Sequence, residues 1–474
     1  MTLPAKFVER VLRDLGGTEG AALCAALDAE PPVSVRLNPA KTGADTLPAG
    51  PDAGLPVPEA AGLPALAIAG RVPWSRDGRY LAVRPSFTLD PDFHAGAYYV
   101  QEASSQFVGH LLAAVRTEGA RILDLCAAPG GKTTLYASLA GPDGLVVANE
   151  IDRRRASVLA DNVRKWGTGN VAVTTCEPRM LGDFEAWFDV VAVDAPCSGE
   201  GMFRKDCEAR GEWSEGCVKL CAARQDGILR EAWRALRPGG TLVYSTCTFN
   251  RDEDEGALER MAAWAGDEIA ESEETAVEDA WGIVCGRVGA FRTFRFYPHR
   301  TCGEGFFAAV ARKSFDAGGR VRAPKARRTV FAAVDRKTAG ELARWVRNPG
   351  GMRFAAVADT CYAWYAAQAD AVRTLSEALP VIYSGVALGQ VFKGVLKPDP
   401  ALAFFDGLNR GALPAAELDD EETLRFLRRQ DIAAGGLAEG MNLVCSRGRA
   451  LGFAKRIGAR VNNLYPNSLR IIKQ

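Results

Sequence analysis

The stretch RILDLCAAPGGKTT, residues 121–134, decides the fold. Its apolar run through Leu125 enters a turn carrying Gly130 and Gly131, then leaves as a helix expected to begin near Lys132 or Thr133. That passage from strand to helix opens a βαβ unit. Working outward, the runs GLVVANE, NVAVTT, DVVAVDAP and TLVYSTC alternate with amphipathic helical patterns from about residue 106 to 313. The alternation predicts an α/β core built on a parallel, doubly wound sheet. Ligands of such sheets bind in the crevice at the carboxyl ends of the strands, so the residues that follow each run are the candidate site residues.

The turn itself narrows the ligand. Gly130 and Gly131 let the backbone approach closely, and helix N–H groups face an acidic group. A phosphate-binding loop needs glycine where Cys126 stands, and no G-x-G-x-x-G dinucleotide fingerprint is present. The next run ends at Glu150, 26 residues beyond Asp124, where a carboxylate can accept both hydroxyls of a ribose. A nucleoside without phosphates fits, and S-adenosylmethionine is the common one. The competing reading of Glu150 is a cap on the helix that follows.

Two cysteines each stand just past such a run: Cys197 in DAPCSGEG and Cys247 in YSTCTFN. Asp194 ends an apolar strand, so its carboxylate must be met by a ligand or by hydrogen bonds. Pro196 stiffens the turn that carries Cys197. Two thiols at neighbouring strand ends can face one substrate, one attacking and the other handling a proton. Which does which is open from spacing alone; the competing reading of each thiol is a small packed hydrophobe, a reading that two thiols at ligand-facing ends beside an acid make much weaker.

Composition bounds the rest. At roughly 100–200 residues per domain, 474 residues imply about three domains. Hydrophobic content of 47% and charged content of 24% are ordinary for a globular protein. No stretch approaches the roughly 20 apolar residues of a membrane span, and MTLPAKFVERVLRDLGG reads as an amphipathic helix rather than a signal peptide. A cytoplasmic protein without membrane contact, acting as a monomer, is expected. The twelve cysteines are irregularly spaced, which argues for reduced thiols. Cys207, Cys217 and Cys221 match no common zinc spacing and are read as core, so no metal is expected.

The formal net charge is zero but unevenly spread. Asp252 to Asp279 holds twelve acids and one base, Arg260, whereas Cys445 to Gln474 holds seven Lys or Arg and no acid. The acid-free tail reads as a phosphate-facing surface. The expected organisation is a small α+β domain over 1–105, the α/β domain over 106–313, a basic linker over 314–328, and a separate α+β module over 329–474.

The motifs DLCAAPGGK, DAPCSGEG and YSTCTFN, in that order on this strand pattern, resemble the RNA (cytosine-5) methyltransferases, Rossmann-like enzymes that use S-adenosylmethionine. SVRLNP and FHAGAYYVQEASS are similar to the family's amino-terminal RNA-contact region, and GEGFFAAVARK to the end of its catalytic domain. The tail from about Leu379 to Arg470 resembles the PUA-like module of the bacterial subgroup that methylates 16S ribosomal RNA. The resemblance implies that Cys247 is the nucleophile adding to C6 of cytosine, although DNA cytosine methyltransferases use the proline-cysteine loop instead. It implies that Asp194 hydrogen-bonds the N3/N4 edge of the ring, and that Cys197 helps remove the C5 proton. It places the cofactor on Cys126, Ala127, Ala128, Pro129, Gly130, Gly131 and Lys132, on Glu150 and Asp194, and on Glu177, where the family more often has aspartate. Lys132 is expected to meet either the cofactor carboxylate or Asp194. The partner implied is RNA, 16S ribosomal RNA or the small ribosomal subunit. Phosphates would be gripped by Arg320, Arg322, Lys325, Arg327, Arg328 and the basic tail, and bases stacked on Tyr98, Tyr99 or Phe203. Transfer RNA as the target, and a non-catalytic RNA-binding or ribosome-assembly factor, stay open as alternatives.

Overall fold

The computed structural model describes residues 2–43 and 63–472. Most of the Ala/Gly/Pro-rich stretch from about Leu47 to Gly70, and Lys473 of the basic tail, lie outside them.

The centre is a ten-stranded sheet. Five strands run parallel: β1 (Arg121–Asp124), β2 (Leu145–Asn149), β3 (Val171–Thr174), β4 (Phe188–Asp194) and β5 (Leu236–Thr246). β1 lies between β2 and β4, β3 lies outside β2, and β5 lies outside β4. The chain therefore reverses its direction of winding between β1 and β4, which opens the crevice over their carboxyl ends. Beyond β5, strands β6 (Val284–Val288), β7 (Phe291–Phe296) and β8 (Phe306–Lys313) add in antiparallel fashion, with β8 against β5. A two-residue strand, Ile269–Ala270, pairs along β8. The near-continuous burial of β2, β3 and β8 fits a sheet covered on both faces. One face packs under Phe107–Ala113 and the helices α1 (Gly131–Ala140) and α2 (Arg153–Trp166); the other packs under α3 (Glu215–Ala235) and Glu255–Ala265.

The amino-terminal region forms a four-stranded antiparallel sheet beside this core. The carboxy-terminal region forms a five-stranded and a four-stranded sheet around a shared apolar cluster that includes Leu388, Leu402, Leu443 and Phe453. It is not wholly separate from the centre, because β9 (Val381–Ser384) pairs antiparallel with β3 at the edge of the large sheet. Gly385 makes the exit from that edge possible. It sits at φ 61°, and a Cβ there would lie 2.4 Å from the Ala363 carbonyl oxygen. The chain crosses at this point from the central sheet into the five-stranded one.

Candidate active site

The loop after β1 is held from behind. Gly130 adopts φ 113°, and a Cβ there would lie 3.0 Å from Leu159 Cδ1 of α2, so only glycine lets the turn sit this close to the helix. The Pro129 carbonyl accepts hydrogen bonds from Tyr99 and Asn162, and the Gly131 carbonyl accepts one from Arg36. The Arg36 guanidinium is buried, lies 4.5 Å from the centre of the Trp166 ring, and also donates to Gln101 and Thr134. Burial pushes it down to about 10. Asn38 of the same SVRLNP segment is buried too, donating to the Gly96 and Trp166 carbonyls. Neither side chain is free to meet RNA: Arg36 braces the amino-terminal domain against the Gly-rich loop, and Asn38 braces it against the end of α2.

Asp124, at the end of β1, accepts from Thr133 at 2.6 Å, while its other oxygen is buried without a hydrogen-bond partner. Burial pushes it up to about 7; Thr133 opposes the rise and the Asp194 charge adds to it. Cys126 beside it has its thiol raised, by burial first and then by Asp194 and Asp124. Glu150 is buried, accepts from the Asp152 amide, and meets Arg155 at 3.3 Å. The cap on α2 is Asp152, whose side chain accepts from the Arg154 and Arg155 amides, so Glu150 is not spent on capping. Glu177 is exposed past the end of β3, and no side-chain cap engages it.

The ends of β4 and β5 meet across the crevice. Asp194 accepts from Ser245 at 2.8 Å and pairs with Lys132 at 2.8 Å, so of the two contacts expected for Lys132 the structure makes this one. Burial pulls the Lys132 ammonium down, but the Asp194 charge and hydrogen bond, with smaller help from Cys247 and Asp124, carry it above its ordinary value. The Phe306 ring lies 5.2 Å from the same ammonium. Cys197 Sγ and Cys247 Sγ stand 3.2 Å apart, both partly accessible. The hydrogen bond to Cys247 is the largest cause holding the Cys197 thiol well above its ordinary range, followed by burial and by the charges of Cys247 and Glu253.

A buried polar network, unforeseen from sequence, ties the two cysteine loops. Glu253 and Glu200 are both buried. Asn250 donates to Ser198, Glu200, Thr248 and Glu253. Glu253 lies unassigned in the acid-rich run from Asp252 to Asp279, and Glu200 unassigned inside DAPCSGEG. Nothing in local pattern distinguishes a buried carboxylate from its exposed neighbours.

Several expected RNA contacts fall elsewhere. Tyr98 is buried and donates to Asp90, and Phe203 is buried against Phe7, so both are core; Tyr99 alone reaches the Gly-rich loop. In the tail, Arg447 and Arg449 face the buried carboxylates of Asp90 and Asp92 in the amino-terminal domain. Lys455, Arg460 and Arg470 remain exposed. The linker runs past Glu185, Ala186 and Pro238, at the amino ends of β4 and β5, which is the edge of the sheet opposite the crevice. Arg328 donates to the Ser376 and Leu379 carbonyls. Cys207 is exposed and Cys217 half-exposed, so the core reading holds only for Cys221. Among the described residues no group of metal-ligating side chains is gathered, and no helix is long and apolar enough to cross a membrane.

Comparison with known proteins agrees with this layout. Residues 111–312 match the model for 16S rRNA methyltransferase RsmB/F, residues 3–103 the amino-terminal domain of 16S rRNA methyltransferase RsmF, and residues 414–471 the methyltransferase RsmF PUA domain. Ribosomal RNA small subunit methyltransferase F of Shewanella loihica is 31% identical over 418 residues, covering 84% of this chain and 83% of its own. Its namesake in Klebsiella pneumoniae is 32% identical over 424 residues, covering 84% of each. A solved methyltransferase homologue from Pyrococcus horikoshii superposes with a TM-score of 0.53 at 27% identity, covering 65% of this chain and 94% of its own. The doubly wound core, the crevice at its strand ends and the three matched regions coincide, and the chain belongs to the 16S rRNA methyltransferase RsmB/F family of S-adenosylmethionine-dependent enzymes.

Proposed function

We propose that the chain transfers a methyl group to C5 of cytosine in RNA, with 16S ribosomal RNA as the target, through a covalent bond between Cys247 and C6. The observation that carries this is the 3.2 Å approach of the two sulfurs beside the Lys132–Asp194 pair. S-adenosylmethionine, when bound, supplies the methyl group. The residues present fit it: the glycine cradle admits close backbone approach, a buried Asp124 oxygen awaits a donor, and Glu150 is free of capping. Cys126 to Lys132, Glu150, Glu177 and Asp194 would hold it.

Cys247 attacks as the thiolate, forming the S–C6 bond while the C5=C6 electrons move toward C5. Asp194, oriented by Ser245 and Lys132, hydrogen-bonds the N3/N4 edge and offsets the charge that builds there. As the S–C6 bond forms, Cys197, 3.2 Å away, gives its proton to solvent and is left free to act as a base toward C5. C5, made electron-rich by the addition, would take the methyl group as its bond to the donor sulfur breaks with the pair left on that sulfur; the Cys197 thiolate then takes the C5 proton, the C5=C6 bond re-forms, and the S–C6 electron pair returns to Cys247. One proton is released per methyl transferred.

The target base must leave its stack at a cost of a few kcal/mol, least in loops, which favours a structured RNA with an exposed cytosine. Regions 1–105 and 329–474 flank the catalytic domain 106–313 as RNA-holding units, the second attached to it through the basic linker 314–328, and the protein acts as a cytoplasmic monomer on ribosomal RNA or on the small subunit. Incubation with methyl-labelled S-adenosylmethionine and either naked 16S RNA or small subunits, followed by bisulfite mapping, tests this. Label confined to 5-methylcytosine is expected. Binding without transfer supports an assembly factor instead, and preferential labelling of transfer RNA overturns the ribosomal target.

A further inference from the structure

Glu253 lies six residues beyond Cys247 with a side chain wholly removed from water, where a carboxylate is costly unless hydrogen-bonded. Its oxygens meet only N–H donors: the Ser198 amide at 3.0 and 3.3 Å, Asn250 Nδ2 at 2.8 Å and Gln225 Nε2 at 2.9 Å. Ser198 is the residue after Cys197. Gln225, from α3, also donates to the carbonyl of Pro196, the residue before it. On the other side, Asn250 accepts from the Glu253 amide, and Tyr244 of β5 donates to the Glu253 carbonyl at 2.6 Å. The Glu253 carboxylate thus holds the Cys197 loop directly at Ser198 and through Gln225 at Pro196, and holds its own loop at Asn250, while the Glu253 backbone bonds Asn250 and Tyr244.

We propose that Glu253 is the positioning residue of the thiol pair: it keeps the Cys197 loop docked against Cys247 and so fixes which sulfur attacks and which carries the proton. The proposal rests on the reading of these two cysteines as the reacting thiols. The other charged groups nearby are committed elsewhere. Glu200 accepts from Trp213, Phe249 and Asn250, and Asp254 pairs with Arg295 and accepts from Thr246. That leaves the Glu253 charge facing Cys197, where it opposes a second anion. An amide at 253 would turn N–H against N–H and remove the charge at once.

The test is pulse alkylation with iodoacetamide, with the two thiols quantified separately by mass spectrometry in the absence of RNA and methyl donor. The wild type is expected to react first at Cys247. Glu253→Gln shifts the ratio toward Cys197 by about fivefold or more, because the charge that opposes a second anion at Cys197 is removed. Glu253→Asp, which keeps the charge, restores the preference for Cys247. Folded Glu253→Gln with the wild-type ratio overturns the proposal. Should that variant not fold, Gln225→Leu carries the test: a smaller shift in the same direction is expected, and an unchanged ratio overturns it. Because no RNA is present, a wild type that fails to methylate RNA removes the proposed reaction without touching this result.

Discussion

Cys197 and Cys247, 50 residues apart in the chain, bring their sulfurs to 3.2 Å across the ends of two adjacent parallel strands. At that distance one thiol's charge state governs the other's, so removing each should give a different phenotype. Cys247→Ala should lose methyl transfer by on the order of a thousandfold or more and form no adduct, as expected for a nucleophile. Cys197→Ala should form the bond to RNA but release it slowly, leaving a shifted band on denaturing gels. Reversed phenotypes would exchange the two roles.

Lys132 pairs with Asp194 from within a largely buried position. Lys132→Met leaves that carboxylate held by Ser245 alone and free to turn away from the pyrimidine. Methyl transfer should fall about a hundredfold, comparable to losing one preorganised polar contact in a catalytic site. Thermal stability should change little. Single-turnover rates alongside melting curves separate the two.

Asp124 is held near 7 in the folded chain, against 3.8 for an ordinary aspartate. A carboxyl raised on folding contributes stability that is present below the unfolded value and lost as pH rises through the folded one. Between pH 4 and 7 the donor-free protein should therefore lose stability relative to Asp124→Asn. Melting temperatures of the two proteins across that range check it. Parallel curves would show that Asp124 is ionised throughout.

The basic tail divides into two kinds of residue. Arg449→Ala strips Asp92, only 1% exposed, of one of its two arginine partners and leaves Arg447 in place, a loss of about 2 kcal/mol, the scale of one hydrogen bond to a charged group. Its melting temperature should drop, and proteolysis between the amino-terminal and PUA regions should accelerate. Lys455→Ala and Arg460→Ala, both exposed, should leave melting unchanged. Each should lower the salt dependence of RNA binding by about one released ion, if these side chains meet phosphate. Titrations at several salt concentrations distinguish the groups.

The sequence by itself determined the doubly wound core and the residues at its strand ends. Strand, glycine turn and helix follow one another within about fourteen residues in RILDLCAAPGGKTT, and a parallel sheet puts every such turn on one edge. The placement of Cys197, Cys247, Asp194 and Glu150 at strand ends was therefore legible from order, whereas Lys132 entered only through the family resemblance. Only the tertiary structure decided which charges face water. Arg447 reads as a phosphate contact until it meets Asp92, 355 positions away, and Glu253 is one acid among twelve until three N–H donors from three segments close around it. Periodicity records how often a residue turns inward, but a buried charge is made tolerable by partners from distant parts of the chain, and no local pattern names them.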